Sequence, residues 1–380
     1  MVERPPLQGR RVTEVLATST GGVGTHVRAV LPALQEAGAQ ARVAGPAATE
    51  VLFGFTATGA GFDPVDIPAG LARPADARAV RALRRATAGA DLVHAHGLRA
   101  GLVAAAARRL GRDRTRPLVL TLHNALPEGG GARRRVLQLA ERATIRGADV
   151  VLAASADLAE NAWRQGARDV RVAPVSAPPL PPPGRPATEV RAELGLTDGR
   201  PLVVAVGRLH PQKGYDVLLD AAARWAGDPR PPLVAIAGDG PLHDELAGRI
   251  AAERLPVTLL GRRSEVADLL AAADLCVLPS RWEARSLTAQ EALRSGTPLV
   301  ATRTGGLPEL LGDGAELVPV GDAAALADAV AGLLADRDRA RRLAEAGTRQ
   351  ADTWPDEAAT ARRLVAVYRE LLGPPEAGAP

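Results

Sequence analysis

The feature that most limits the folds open to this chain is a pair of short apolar runs separated by one helical pattern. Residues 274–278 read as a buried strand that a proline closes, and residues 299–302 read as the next strand. Between them, helical spacing starts at Ser286 or Leu287 and stops before Gly296. The same alternation of strand and helix runs through both halves of the chain, which predicts an α/β fold with parallel sheets.

Length and composition exclude several classes of protein. A chain of 380 residues with 46% hydrophobic residues has the length of two domains with full cores. The net charge is only +4, the basic residues are scattered and aromatic residues make up 2%, so we expect no nucleic-acid partner. The single cysteine, Cys276, lies in an apolar strand, and neither a signal peptide nor a run of ~18 apolar residues is present. We therefore expect a cytoplasmic protein.

A proline-rich stretch divides the chain. Residues 174–186 contain seven prolines, which prevent a helix and favour an extended spacer. We therefore predict a first domain over residues 1–173 and a second over 187–356. The final segment, 357–380, holds the last helix and a tail at residues 373–380 that we expect to be disordered. In the first domain we also predict short strands near residues 50–55 and 64–67 and a mobile segment at residues 128–132.

Two glutamates follow the strand at residues 274–278. Glu283 falls in the loop after the strand, and Glu291 lies on the helix behind it. In an open α/β sheet, ligands bind at the carboxyl edge of the strands. The backbone N–H groups that begin at Ser286 and Leu287 are free at the helix start and suit an anion. Carboxylates and free amides at one edge can hold hydroxyl groups and phosphate together.

Two cations follow an earlier strand of the second domain. The strand at residues 201–206 runs into the turn Gly-Arg-Leu-His-Pro-Gln-Lys-Gly, which carries Arg208 and Lys213. Fixed cations at the carboxyl end of a parallel strand can neutralise a leaving diphosphate. Lys213 is the single lysine in a chain that otherwise uses arginine, and a compact ammonium suits a crowded phosphate.

A glycine-rich loop follows the first strand of the chain. Gly22 and Gly24 allow the backbone to approach a phosphate before the helix from Thr25. A dinucleotide site is an alternative, but the third glycine position holds Val27, and no acidic residue ends the next strand to hold a ribose. His26 lies on the first helical turn, where we interpret it as a packing or capping residue.

Three further histidines lie at strand ends. His94 and His96 alternate in one strand, so both point to one face, and we assign His96 to the exposed side and His94 to packing. They could hold a metal, but no third ligand is evident nearby. His123 follows the strand at residues 117–122, at the carboxyl edge of its sheet, which favours a functional role.

These motifs, taken together, resemble glycosyltransferase family 4. The family pattern is a glutamate, seven residues and a second glutamate, then a Gly-Gly-x-Pro-Glu turn, which here runs from Gly305 to Glu309. The Gly-Arg-Leu…Gln-Lys-Gly turn matches the family's phosphate-binding turn. Gly238 and Asp239 match its loop beside the nucleotide, Arg262 its position against the base, and the N-terminal glycines its loop facing the donor phosphates. In the family, His96 lies beside the acceptor and His123 meets acceptor and donor sugar.

The resemblance implies a fold and an activity. The fold is GT-B: two Rossmann-like domains with parallel sheets facing across a cleft, and a C-terminal helix that crosses back to the first domain. The activity is transfer of a hexose-type sugar, with retention of configuration, from a nucleotide sugar to an acceptor; a UDP-sugar is favoured and GDP-mannose comes next. No metal or other cofactor is expected, because Arg208 and Lys213 replace the metal and the only Asp-x-Asp, at residues 336–338, lies away from every motif.

The resemblance also assigns roles at the proposed donor site. It makes Glu283, His123, Arg208 and Lys213 the catalytic group, with Glu283 on the hydroxyls of the transferred sugar, and it places Glu291 on the ribose.

One departure from the family pattern bears on the donor. Where the family has small and aromatic residues after the first glutamate, this chain has Ala284, Arg285 and Ser286. Arg285 is available to a phosphate, an acidic sugar or an acidic acceptor, or to a pair with Glu283. The acceptor is open: a small molecule, a lipid-linked molecule or a glycan. Peripheral contact with a membrane is compatible with the expected cytoplasmic location. The alternatives are an inactive nucleotide-sugar-binding protein and another GT-B enzyme such as a nucleotide-sugar epimerase.

Overall fold

The computed structural model describes residues 4–19, 21–68, 70, 73–111, 114–126 and 131–374, with the backbone alone at Arg73 and Arg133. The chain divides into two compact units: residues 1–176 together with 355–380, and residues 177–354. Among the described residues, no helix has both the length and the apolar character needed to cross a membrane.

The first unit is built on a seven-stranded parallel sheet. Its strands are β1 (Arg11–Leu16), β2 (Gln40–Gly45), β3 (Gly61–Pro64), β4 (Leu92–His96), β5 (Leu118–Leu122), β6 (Val150–Ala153) and β7 (Val170–Val172). Its first six helices are α1 (Gly22–Glu36), α2 (Ala47–Phe53), α3 (Arg73–Ala86), α4 (Gly97–Leu110), α5 (Gly131–Gly147) and α6 (Ala156–Gln165). The strand order is β3-β2-β1-β4-β5-β6-β7. The central strands β4, β5 and β6 are buried along their whole length, as expected for strands covered by helices on both faces.

The second unit is built on a six-stranded parallel sheet. Its strands are β8 (Leu202–Val206), β9 (Leu233–Ala237), β10 (Val257–Gly261), β11 (Leu275–Leu278), β12 (Leu299–Thr302) and β13 (Glu316–Val318), in the order β10-β9-β8-β11-β12-β13. Its helices are α7 (Ala187–Glu193), α8 (Tyr215–Trp225), α9 (His243–Glu253), α10 (Val266–Ala272), α11 (Leu287–Arg294), α12 (Leu307–Leu311), α13 (Ala323–Ala335) and α14 (Arg337–Asp352). The predicted α/β class with two Rossmann-like parallel sheets is confirmed.

The last helix, α15 (Glu357–Leu372), returns to the first unit, as the resemblance implied. It packs on α1, and it buries Leu364, Val367 and Tyr368 in the same apolar cluster as Val12 and Val27. Full burial of an apolar side chain of this size contributes about 1.5–3 kcal/mol. The helix is therefore an integral part of the first unit.

One predicted strand is wrong. We expected a strand near residues 50–55, but that segment forms α2 and a 3₁₀ turn at Phe55–Thr58. The Glu50 carboxylate accepts hydrogen bonds from the backbone N–H groups of Phe55 (3.0 Å) and Thr56 (3.2 Å). This local side-chain contact stabilises a compact turn in place of an extended strand. The strand expected at residues 64–67 is observed as β3, three residues earlier.

The proline-rich segment is attached to the second unit from Ala177 onward. The N–H of Ala177 donates to Oε1 of Gln290 (2.9 Å), and the N–H of Gly184 donates to Oδ1 of Asp268 (2.6 Å). The predicted mobile segment at residues 128–132 and the predicted disordered tail at 373–380 fall largely outside the described residues.

Candidate active site

Each unit has one point where its strand order reverses, and the predicted site residues gather there. In the first unit β1 lies beside both β2 and β4, and in the second β8 lies beside both β9 and β11. Connections leave in opposite directions at such a point and open a crevice at the carboxyl ends of the strands. Lys213 follows β8, Glu283 follows β11, His96 ends β4 and His123 follows β5.

In the second unit, Lys213 and Glu283 form an ion pair. Nζ of Lys213 lies 2.5 Å from Oε1 of Glu283, and the Ser280 hydroxyl donates to the same oxygen at 2.8 Å. The Glu283 side chain is 9% exposed and that of Lys213 is 21% exposed. The structure thus joins two residues that the sequence assigned to different parts of the donor, one to phosphate and one to sugar hydroxyls.

Two glycines allow the loops of this pair to meet. A Cβ atom on Gly214 would lie 2.1 Å from the carbonyl oxygen of Pro279, and one on Gly305 would lie 2.0 Å from that of Glu283. The N–H of Gly306 donates to the same Glu283 carbonyl at 2.9 Å. The turn that contains Gly305 and Gly306 therefore fixes the backbone of Glu283, a role the sequence did not reveal.

Helix α11 begins directly behind Glu283. The Ser286 hydroxyl accepts from the N–H of Ala289 at 3.3 Å and caps the helix. The backbone N–H groups of Leu287 and Thr288 make no hydrogen bond to a described residue, and the helix dipole favours an anion beside them. Glu291 lies one turn further along, where burial raises the pKa of its carboxyl above the usual value.

The turn after β9 lies against the turn after β8. A Cβ atom on Gly238 would lie 1.8 Å from the carbonyl oxygen of Gly207, and the N–H of Leu209 donates to the carbonyl of Asp239 at 2.9 Å. Gly238 is therefore needed for contact between two loops of the protein itself. Arg208 is exposed in the adjoining turn and makes no side-chain hydrogen bond to a described residue.

Arg262 and Asp239 are both exposed, the first after β10 and the second after β9. The Asp239 carboxylate accepts from the N–H of Gly240 at 2.7 Å, a contact within its own loop. No contact to a described residue fixes the Arg262 guanidinium.

Arg285 makes no pair with Glu283. Its guanidinium carbon lies 5.6 Å from the centre of the Trp354 ring, and its Nε and Nη2 atoms are buried without a hydrogen-bond partner among the described residues. Burial lowers the pKa of Arg285 to about 10, and Glu309 opposes that change. An unpaired guanidinium in such a place is costly unless an anion joins it.

In the first unit, Glu14 is the centre of a buried polar cluster. It lies on β1, fully inaccessible, and the Tyr368 hydroxyl donates to its Oε1 at 2.7 Å. Its Oε2 lies 2.7 Å from Nε2 of His96 and 3.2 Å from Nδ1 of His94. Burial raises the pKa of Glu14, but the charge of His94 and the hydrogen bonds from both histidines outweigh it and hold the pKa below its usual range.

His94 has two further partners. Its Nδ1 lies 2.5 Å from the Tyr368 hydroxyl and its Nε2 lies 2.6 Å from the Thr121 hydroxyl. The interpretation of His94 as a packing residue agrees with this full burial. The exposure assigned to His96 is wrong, because its ring is 3% exposed and lies between Glu14 and His123.

His123 is the partly exposed member of the cluster. Its Nε2 lies 3.2 Å from Nδ1 of His96, while its Nδ1 has no hydrogen-bond partner among the described residues. Burial lowers the pKa of His96 to about 4, and burial and the neighbouring His96 lower that of His123 well below 6.5. His26 packs edge-on against both rings, at 5.7 and 5.6 Å, in line with its interpretation as a packing residue.

The glycines after β1 have structural contacts of their own. Gly22 is exposed at the first position of α1, while Gly24 is buried, and a Cβ on it would lie 2.1 Å from the Phe53 ring. Gly24 therefore packs against a side chain of its own unit. Thr20, in the loop before these glycines, lies outside the described residues.

Glu14, His94 and His96 also form a group that could hold a metal ion. Their ligand atoms all lie within 4.8 Å of one another, so Glu14 supplies the third ligand that the sequence did not reveal. The remaining polar atoms of this group already have partners. Oε1 of Glu14 accepts from Tyr368, Nε2 of His94 contacts Thr121, and Nδ1 of His96 contacts His123. Neither Glu14 nor Tyr368 was identified from the sequence. A glutamate within the apolar strand Arg-Val-Thr-Glu-Val-Leu could have indicated a buried site, because acids are seldom buried without a partner.

Comparison with known proteins gives a consistent result over the chain. The family model for glycosyl transferases group 1 matches residues 186–350, and the model for a glycosyl transferase 4-like domain matches residues 21–178. D-inositol 3-phosphate glycosyltransferase of Nocardia farcinica is 36% identical over 314 residues, which cover 74% of this chain and 67% of that protein. Alpha-maltose-1-phosphate synthase of Mycolicibacterium smegmatis is 31% identical over 310 residues, which cover 74% of this chain and 79% of that protein.

Two solved structures share the fold. Sucrose-phosphate synthase of Thermosynechococcus elongatus superposes with a TM-score of 0.78 at 22% identity, over 95% of this chain and 99% of that one. HepE of Anabaena, solved in complex with UDP-glucose, superposes with a TM-score of 0.79 at 22% identity over the same shares. At this identity the two structures show that this chain shares their fold.

Proposed function

This chain belongs to the group 1 glycosyl transferases, of the GT-B, family 4 type, and we propose that it transfers a hexose-type sugar from a UDP-sugar to a hydroxyl-bearing acceptor with retention of configuration. The observation that carries the proposal is the Lys213–Glu283 pair, which lies at the strand-order reversal of the second unit and directly before the N-terminus of α11. A cation, a carboxylate and free amides together match the groups of a nucleotide sugar.

The donor diphosphate is proposed to bind Lys213, Arg208 and the amides of Leu287 and Thr288. When phosphate binds the ammonium of Lys213, the Glu283 carboxylate loses its partner and becomes available to sugar hydroxyls, which donate hydrogen bonds to it. The ion pair thus holds both groups in place before the donor arrives. Glu291 accepts from the ribose hydroxyls.

Retention is proposed to follow from attack on the face that the diphosphate leaves. The acceptor oxygen forms its bond to the anomeric carbon as the bond to the phosphate oxygen breaks, and the departing phosphate takes the acceptor proton. No protein base is then required. Arg208 and Lys213 stabilise the negative charge that develops on the leaving group, so the proposal includes neither metal nor other cofactor.

The choice of UDP is supported by the ligand named for HepE, whose fold this chain shares. GDP-mannose is the second choice. The name of the Nocardia relative gives inositol 3-phosphate as its acceptor; for this chain we propose a small molecule, a lipid-linked molecule or a glycan.

A thermal-shift panel tests the donor assignment. UDP, GDP, ADP and TDP and their sugars are compared with magnesium and with EDTA, on the wild type and on Lys213→Met. A ligand at 100 times its Kd stabilises by ~2.7 kcal/mol, a Tm shift of about 5–10 °C for a domain of this size. We expect UDP to give the shift without metal, and Lys213→Met to lose most of it. Arg224→Met, which removes an exposed charge from α8, is the matched control and should keep the shift.

Other outcomes of the panel separate the alternatives. A shift only with GDP moves the donor to GDP-mannose, and a shift only with magnesium contradicts the metal-free mechanism. Binding without donor hydrolysis or transfer indicates an inactive nucleotide-sugar-binding protein, and a new epimer of the donor indicates an epimerase. No shift from a folded sample contradicts the proposal as a whole.

We further propose that the reaction takes place in the cytoplasm and that α5 contacts an anionic membrane surface. This helix exposes Val136 (53%) and Leu139 (67%) beside the exposed cations Arg135 and Arg142. Apolar residues between cations on one helix are typical of an interfacial contact. Flotation with phosphatidylglycerol vesicles should recover the wild type but not Leu139→Asp, and recovery with neutral phosphatidylcholine to the same extent would contradict a charge-dependent contact.

A further inference from the structure

A continuous line of hydrogen bonds runs from the buried interior of the first unit to a partly exposed histidine. The Glu14 carboxylate contacts Nε2 of His96 at 2.7 Å, and Nδ1 of His96 contacts Nε2 of His123 at 3.2 Å. Glu14 and His96 are buried, and Nδ1 of His123, at the end of the line, has no hydrogen-bond partner in the described part of the chain. The direction of each bond can be derived from one end.

The carboxylate determines the first proton. An ionised carboxylate only accepts hydrogen bonds, and both oxygens of Glu14 lie against donors, so Nε2 of His96 must carry a proton and donate it. The His96 ring is 3% exposed, and burial favours the neutral form of an imidazole. A neutral imidazole has one N–H, so Nδ1 of His96 then holds a lone pair.

The second bond follows from the first. Because Nδ1 of His96 is an acceptor, Nε2 of His123 must donate to it. The ring of His123 is neutral too, so its proton lies on Nε2 and its Nδ1 holds a lone pair. The other branch from Glu14, through Tyr368 to His94 and Thr121, satisfies the remaining carboxylate oxygen and leaves this order unchanged.

We propose that Glu14 and His96 are positioning residues that hold His123 in the tautomer with the proton on Nε2, so that Nδ1 accepts a hydrogen bond from a hydroxyl group of the acceptor. The inference rests on the proposed transferase function. It also limits what His123 recognises: a lone pair attracts an O–H donor and repels the oxygens of phosphate or carboxylate. An anionic group of the acceptor must bind elsewhere.

The first experiment measures the tautomer directly. Protein labelled with ¹⁵N only in its six histidines is analysed by long-range ¹H–¹⁵N correlation at pH 7, and His123 is assigned with His123→Gln. We expect the protonated nitrogen of His123 to be Nε2. A proton on Nδ1 in the wild type overturns the proposal without any variant.

The second experiment removes the constraint on the line of hydrogen bonds. A glutamine at position 14 can turn its NH₂ toward Nε2 of His96, which a carboxylate cannot do, so in Glu14→Gln the order of protons is no longer fixed and His123 should populate the Nδ1–H form. Tyr368→Phe is the matched control, since it removes a buried partner of Glu14 but keeps the Glu14–His96 bond. Its His123 should retain the wild-type tautomer. The same tautomer in Glu14→Gln as in wild type, from a folded sample, contradicts the proposal.

Turnover supplies a separate readout. With UDP-glucose as the probe and water as its acceptor, Glu14→Gln should lower kcat of UDP release by about three- to tenfold, the loss of one neutral hydrogen bond, with little change in KM. The UDP-induced thermal shift should persist, because the groups proposed to bind the diphosphate lie on the other unit. If UDP gives no thermal shift in the wild type, the transferase proposal is refuted. The tautomer proposal is tested independently, because the NMR measurement needs no donor.

A metal is the competing occupant of the same residues. If one equivalent of zinc shifts the ring nitrogens of His94 and His96 and raises Tm in the wild type but not in Glu14→Gln, the group is a metal site, and the positioning role of Glu14 is refuted. No zinc-dependent change agrees with the hydrogen-bonded arrangement.

Discussion

Removing the charge of Lys213 should destabilise the second unit more than removing that of its partner Glu283. Lys213→Met keeps the apolar stem but leaves a carboxylate that is 9% exposed and whose remaining hydrogen-bond donor among the described residues is the Ser280 hydroxyl. Breaking a fully buried pair costs about 3–5 kcal/mol, whereas an exposed pair contributes about 0–1 kcal/mol. Since Lys213 is 21% exposed, water can partly replace it, and we expect a loss of about 1–3 kcal/mol.

Glu283→Gln should cost less. It leaves the ammonium of Lys213, which lies closer to solvent than the carboxylate does, and the glutamine amide retains an oxygen for Ser280. The double variant Lys213→Met/Glu283→Gln leaves no unpaired charge and should be more stable than Lys213→Met alone. For a domain of 150–250 residues, 2 kcal/mol corresponds to a Tm change of about 4–8 °C.

Urea and thermal unfolding of the wild type, the two single variants and the double variant complete a double-mutant cycle. A coupling of about 1 kcal/mol or more between the two positions is expected. Equal losses in the single variants that add in the double variant to within about 0.5 kcal/mol would mean that the pair is not formed in solution, and the argument from burial would fail. Separately, each single variant should lower UDP-glucose turnover by about 10²–10³ if both groups act on the transition state.

Three further predictions each concern a single residue. Burial raises the pKa of Glu291 above 4.5, so ionisation of its carboxyl is disfavoured in the folded state. The free energy of unfolding therefore falls as pH rises from 4.5 through the raised pKa. Glu291→Gln should raise Tm at pH 7 but not at pH 4, and an equal change of Tm at both pH values would contradict this prediction. Arg285→Met removes an unpaired buried charge and should leave Tm unchanged or higher without ligand, while a drop above 4 °C would indicate an unseen anionic partner. Gly238→Ala should cost about 1–3 kcal/mol, because its Cβ meets the carbonyl of Gly207. The helical Gly248→Ala, which meets nothing within 4 Å, should stabilise by about 0.4–1 kcal/mol, and a similar loss in both would refute the steric argument.

Much of the fold could be predicted because its signals are local. The strand-loop-helix-strand from residue 274 to 302 is observed as β11, α11 and β12, and α11 begins at Leu287, one of the two predicted starts. Apolar runs bounded by glycine and proline sufficed for nearly every strand. The segment at residues 50–55 failed because Glu50 accepts from backbone amides five and six residues away, a contact that period-2 patterning does not reveal.

The site could be predicted only in part. Local motifs selected Lys213 and Glu283, which the structure brings into contact, but they gave each residue a separate partner. They also missed that Gly305 and Gly238 serve contacts between loops of the protein, because a glycine in a motif does not state what approaches it.

The sequence by itself determined the α/β class, the order of strands and helices, the family and the residues of the donor motif, because each depends on neighbours a few positions apart. Only the tertiary structure decided which groups act together. Glu14 meets His96 across 82 residues and Tyr368 across 354, and Lys213 meets Glu283 across 70. These contacts arise because parallel strands place distant residues side by side and because the last helix returns to the first sheet. Burial there removes water, so each polar group must find its hydrogen-bond partner in another side chain. This requirement determines which nitrogen of His96 and of His123 carries the proton.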